Sequence, residues 1–334
     1  GVGLSSFPPV CSLAWKMSTA LAISGPWRQP HNDLVKQTYG GHMSLHDADQ
    51  AEKLLGTRDA PIHGPMHLSQ FTPLLLRAFG PDWFARGTIS VHFKKMVSHL
   101  VPVQAHMELP PEGALEGTSV RVWLSFKDGS LALEGTASLG ATPGSMASNQ
   151  ISKVKPPKEE LLILKGMEVG QCSGRVKVCV RDWDMDLRKL GHGTFPYSVR
   201  EKLAVITELH PWFTEEGGSS SPWGRAIVPP CVMHGVMYPQ RLPRGANPGS
   251  VGLLGGCELH MVNGPIFMGE EYEVQTEVLA LGETPRTEFQ WTRSTLYRGE
   301  TVVGYHDLQS MSLKHSFPGP VERGYQGPAA RAKL

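Results

Sequence analysis

The chain carries one pattern twice, at a nearly constant spacing. In the first half, PIHGPMHLSQFTPLLLRAF (61–79) opens on Pro and Gly and continues as an amphipathic helix. Leu68, Phe71, Leu75 and Phe79 share one helical face. A strand is expected over 87–109, then a hairpin over 119–139 that turns at Asp128-Gly129. In the second half, 226–240 opens a helix behind prolines, 252–281 reads as strand, turn and strand, and 287–313 is a hairpin turning near Arg298-Gly299. The triplets VHF (91–93) and LHM (259–261) stand 168 residues apart, and the hairpin glycines Gly129 and Gly299 stand 170 apart. Such an offset points to duplication.

One helix and about five strands per half predict an α+β protein. Each half is a long helix wrapped by a curved antiparallel β-sheet, and the two units pair edge to edge. The expected boundaries are an N-terminal arm over 1–22, a first domain over 23–147, a linker over 148–165, a second domain over 166–316 and a tail over 317–334. The linker is polar and basic and holds Pro156-Pro157. Residues 1–16 lack the charged start and apolar core of a signal peptide.

Charge excludes some partners. Against 32 Lys and Arg stand 31 Asp and Glu, a net charge of +1, so no basic field suggests nucleic acid or an anionic membrane. Five cysteines, an odd number without a CxxC pair, fit a reducing, cytoplasmic setting rather than a disulfide framework.

The segment LHDADQAEKLLGTRDAPIHG (45–64) resembles the signature of the MaoC-like, (R)-specific enoyl-CoA hydratase and dehydratase family, in its tandem, double-hotdog form. The spacing from His46 to His63-Gly64 carries the likeness, which extends through NGPIFMGEEY (263–272) and TELHPWFTEEGGSSSPWGRAIVPP (207–230) to most of 35–315. It implies the hotdog fold and a lyase of fatty-acid metabolism that acts on an acyl-CoA-like thioester without a cofactor. In that family an Asp–His pair handles the protons. An N–H at the helix opening holds the thioester oxygen, and the acyl chain lies in a tunnel along the helix.

Carried over residue by residue, His46 takes the place of the catalytic histidine and Gly64 that of the oxygen-binding amide, with His63 beside it. The family's Asp position falls on Gly41 and its Asn-Pro pair on Met43-Ser44; the nearby carboxylates Asp47 and Asp49 lie on the other side of His46 in sequence, and Asp47 is the candidate substrate contact. In the second half the Asp position falls on Glu208 and the Asn-Pro pair on His210-Pro211, while the His position becomes Phe213. Pro229-Pro230 replaces His-Gly, and Pro230 has no N–H to offer. His46, Glu208 and His210 are therefore the candidate catalytic residues, and His63, Gly64 and Asp47 the candidate substrate contacts, with Glu208 and His210 reaching across between halves.

Two alternatives stay open on the same scaffold. One is a thioesterase or a polyketide- or steroid-type dehydratase-isomerase; the other is a non-catalytic acyl-binding protein. HMSLH (42–46) and HGPMH (63–67) place histidines at i, i+4, but no HExxH and no cysteine pair accompanies them, so no metal is expected. The tandem halves can form a monomeric pseudo-dimer or a homodimer.

Overall fold

A computed structural model describes residues 21–31, 51–52, 59–114, 116–140, 144–190, 197–238 and 250–325. Ten strands form one sheet in the order β1-β3-β4-β5-β2-β7-β10-β9-β8-β6, with antiparallel neighbours throughout. The first half supplies β1 (Ala22–Arg28), β2 (Gly87–Phe93), β3 (Val103–Glu108), β4 (Val120–Phe126) and β5 (Leu131–Leu139). The second supplies β6 (Val176–Val178), β7 (Gly252–Met261), β8 (Tyr272–Glu283), β9 (Thr287–Arg298) and β10 (Thr301–Leu313).

The halves meet where β2 pairs with β7. Thr88 faces His260 and His92 faces Gly256, so positions 168 apart in sequence exchange partners about the pair Ser90–Glu258. That register is the mark of a twofold relation: a duplicated edge strand meets its own copy antiparallel. The hairpin glycines Gly129 and Gly299 both turn at positive φ, 79° and 59°, where a side chain is strained.

The stretch 87–109 is two strands rather than one. Leu100 takes a φ of 59°, and Pro102, which has no N–H for a ladder, stands just before β3. The first-half helix also differs from a plain α-helix. Gly64–Phe71 is a 3₁₀ segment, and α1 (Thr72–Phe79) follows it directly. The change falls at Pro73, which cannot donate to the carbonyl of Ser69; the Thr72 N–H takes that carbonyl instead. Leu68, Phe71, Leu75 and Phe79 are all buried as their spacing predicts, and they pack with β2 to β5.

The remaining helices are short: α2 (Asp82–Arg86), α3 (Met146–Ile151), α4 (Val199–Val205) and α5 (Pro230–Val236). The segment read as a linker packs on the second half. Ala147 of α3 joins Ala280 and Trp291, while Leu161, Leu164 and Met167 join Val278 and Leu281. The Glu288 carboxylate accepts the N–H groups of Leu162, Ile163 and Leu164 at 2.8–2.9 Å and the Tyr325 hydroxyl, which ties the linker and the start of the tail to β9. Cys172, Cys179, Cys231 and Cys257 carry free thiols.

Candidate active site

The first helix begins at His63, which is still extended (φ −61°, ψ 121°). The Met66 N–H donates to the His63 carbonyl at 3.0 Å, and Pro65 has no N–H. The Gly64 N–H is thus the first free amide of the helix, and no group among the described residues accepts from it. Phe93, at the end of β2, lies over Gly64: a Cβ there would stand 2.9 Å from the ring. A side chain at 64 would have to displace the Phe93 ring, and the backbone angle at Gly64 is an ordinary one.

The His63 ring packs edge-on against His234 of α5, centroids 5.7 Å apart. His234 Nδ1 lies 3.1 Å from His306 Nε2, and His306 Nδ1 lies 3.2 Å from the Met237 carbonyl. A carbonyl only accepts, so His306 carries its proton on Nδ1 and presents a lone pair at Nε2. His234 then donates from Nδ1, and its own Nε2 is left as a bare acceptor, buried and without a partner among the described residues. Burial drives the His306 pKa down to about 4. Burial, with His306 and Lys202 nearby, pushes His234 well below the ordinary histidine value.

Lys202 completes this centre. α4 starts with a capping box: Ser198 Oγ accepts the Glu201 N–H while Glu201 accepts the Ser198 N–H. That start turns Lys202 inward, 1% exposed, toward Cys231 and His234. No carboxylate among the described residues pairs with it, and burial lowers its pKa, because an unpaired ammonium is costly in an apolar interior.

The predicted residues fall as follows. His46 and Asp47 lie outside the described residues, as do Gly41 and Met43-Ser44. His63 and Gly64 stand together at the helix opening. Glu208, after α4, gives both carboxylate oxygens to the guanidinium of Arg28 on β1, so it bridges the halves; one of these contacts measures 3.1 Å. His210 caps the turn Pro211–Phe213, with Nδ1 accepting the Trp212 N–H at 3.3 Å and its ring edge-on to Trp212 at 4.4 Å. Burial lowers its pKa. His67 does not join His63 as a ligand: it is buried, its Nδ1 meets Gln70 Nε2 at 3.1 Å, and burial brings its pKa to about 4. Among the described residues no three His, Cys, Asp or Glu side chains cluster to hold a metal, and no helix is long and apolar enough to cross a membrane.

Sequence reading missed His234, His306 and Lys202. His234-Gly235 does echo His63-Gly64, but it sits inside the helix rather than at its opening, where Pro229-Pro230 drew attention.

No family model and no curated protein matches the sequence. Solved structures do match. A MaoC domain dehydratase from Chloroflexus aurantiacus superposes with a TM-score of 0.55 at 14% identity, over 88% of this chain and 95% of the other. A double-hotdog protein from Mycobacterium tuberculosis gives a TM-score of 0.55 at 11% identity, over 89% and 96%. The fold is the double hotdog. The expected architecture of a helix wrapped by sheet in each half is borne out, and so is the MaoC-like resemblance at the level of fold. In double-hotdog terms, the His63–His234 contact lies where the wrapped helices of the two halves face each other, so both halves contribute polar groups to one place.

Proposed function

We propose that this protein acts on an acyl thioester, adding or removing water at an enoyl-CoA-like substrate. The observation that carries the reading is the Gly64 N–H: a half-buried helix opening with one amide left over, set against a cluster of imidazoles. Such an amide suits a thioester oxygen that gains negative charge as an enolate forms, because the helix start stabilises an anion there. His46 takes and returns the proton, with His63 and Asp47 beside the substrate. His210 presents an Nε2–H, since its Nδ1 already accepts. Glu208 assists through position, holding its loop to β1 by way of Arg28.

General acid–base groups contribute roughly 10²–10⁴-fold. His46→Ala is therefore expected to lower crotonyl-CoA hydration by at least about a hundredfold, with the circular dichroism spectrum unchanged. Full activity in that variant would remove the proposal. Thiol release without loss of enoyl absorbance would replace hydration by thioester hydrolysis.

A further inference from the structure

The duplication places two tryptophans at equivalent points. Trp123 on β4 and Trp291 on β9 stand 168 residues apart, the offset of the VHF and LHM triplets. Trp123 alternates with Val122 and Leu124, which join the core, so it stands on the outer face of the sheet. The surroundings of the pair differ. Trp291 is 1% exposed and packs with Ala147 of α3, which is docked on the sheet where its N–H meets Ser90 Oγ at 2.8 Å. Trp123 is half-buried, and its ring contacts among the described residues come from its own sheet. His106 of β3 stacks on it, centroids 5.0 Å apart and 11° from parallel, and the Arg121 guanidinium lies 4.8 Å from the ring centre.

These groups are held in place by the sheet itself. Ser24 Oγ meets His106 Nδ1 at 2.8 Å and Ser125 Oγ meets its Nε2 at 2.9 Å, so the imidazole is fixed at both nitrogens. A Glu134 oxygen lies 3.6 Å from Arg121. The ladder sets the order of the face. Ser24, His106, Trp123 and Glu134 form one row across β1, β3, β4 and β5. Glu108 and Arg121 stand side by side in the next row, where the Arg121 N–H meets the Glu108 carboxylate at 3.2 Å. A tryptophan and an arginine already ordered on a continuous face have the make-up of a binding hot spot, since little side-chain entropy remains to be lost.

We infer that this face is an interface between two copies of the chain. A twofold axis parallel to the strands, between β3 and β4, lays Trp123 on His106 of the second copy and sets Arg121 against Glu108 of that copy, while Ser24 meets its Glu134. Aromatic meets aromatic, cation meets anion and hydroxyl meets carboxylate, and the contact closes on itself. A second copy thereby covers Trp123 as α3 covers Trp291. Four strands about 4.8 Å apart and about seven residues long offer roughly 450 Å² of face per copy. That is a small interface, so the dimer comes apart on dilution. Its existence is independent of the reaction proposed above.

Sedimentation velocity on the full chain, from about 5 µM to about 500 µM, tests the interface. The wild type is expected to pass from monomer to dimer across that range. Arg121→Glu and Glu108→Arg each set like charges against one another twice in the dimer, and each is expected to weaken it at least tenfold with an unchanged circular dichroism spectrum. The two substitutions in one chain restore opposite charges and are expected to bring the dissociation constant back to within threefold of wild type. Trp123→Ala is expected to weaken the dimer at least tenfold. A wild-type chain that stays monomeric throughout overturns the inference. So does a dimer that survives Trp123→Ala and both single charge reversals, because the contact then lies elsewhere. A double variant that associates no more tightly than its parents overturns it as well, since a loss caused by misfolding is not repaired by exchanging the charges.

Discussion

Acid is expected to unfold this protein through its core histidines. His67 and His306 are fully buried, on the first helix and on β10, and each has its pKa lowered from 6.5 to about 4 by burial. The unfolded chain takes up these protons more readily than the folded one, so the stabilisation is complete above the unfolded value and drains away as pH falls toward 4. At pH 5 each histidine costs about 2 kcal/mol relative to pH 7.5, and the two together about 4 kcal/mol of a total stability on the order of 5–15. His234 acts in the same direction. Urea melts at pH 7.5, 6 and 5 measure the loss, and His67→Gln isolates one share of it. Glutamine does not titrate, so the variant's stability difference between pH 7.5 and pH 5 is expected to shrink by about 2 kcal/mol. An identical pH dependence in the variant, or an NMR titration placing His67 near 6.5, would refute the assignment of a buried neutral imidazole.

Three other outcomes follow from the same structure. Glu288→Ala strands three N–H groups, two of them buried, and the Tyr325 hydroxyl, and is expected to cost about 3–5 kcal/mol by urea melt, with proteolysis entering first near residues 160–167. Glu258, buried opposite Ser90 on the pseudo-twofold, has its pKa raised by burial and by Asp307, so ionisation opposes folding as pH rises; Glu258→Gln is expected to raise the melting temperature at pH 7.5, with the gain fading toward pH 4. Gly64→Ala brings a Cβ to 2.9 Å from the Phe93 ring and is expected to lower turnover more than tenfold, with Phe93→Leu in the same chain restoring part of it; unchanged kinetics in Gly64→Ala would refute the close packing of Phe93 over the helix opening.

The duplication was legible because turns and strands announce themselves locally. Asp128-Gly129 and Arg298-Gly299 mark hairpins wherever they occur, and the alternation on either side of them sets the strands. The 3₁₀ segment was not legible, because Leu68, Phe71 and Leu75 satisfy a 3.6-residue period as well as a three-residue one, and only Pro73 tips the balance. The burial of the first helix's polar residues was hidden for a different reason. Ser69, Gln70 and Thr72 read as a polar flank, and polarity in a sequence suggests exposure; their burial is set by the second half, more than 150 residues away.

That dependence also explains how the two halves came to differ. At the helix openings the first half keeps Gly64 with its amide, and the second carries Pro230, which can bind no oxygen there. Had the halves remained alike, each would have needed its own complete site. On the proposed function a single opening holds the oxygen, and the opposite helix is free to place side chains where a second amide would have stood. α5 uses that freedom: His234, oriented by His306 from β10 and flanked by Lys202 from α4, meets His63 edge-on. One half offers a backbone donor and the other an imidazole acceptor, and neither arrangement survives exchange of the two sequences. A chain in which Pro229-Pro230 is replaced by His-Gly is therefore expected to gain no second site, because the imidazoles that face the first opening have no counterpart facing the other: Leu68 stands on the first helix where His234 stands on α5.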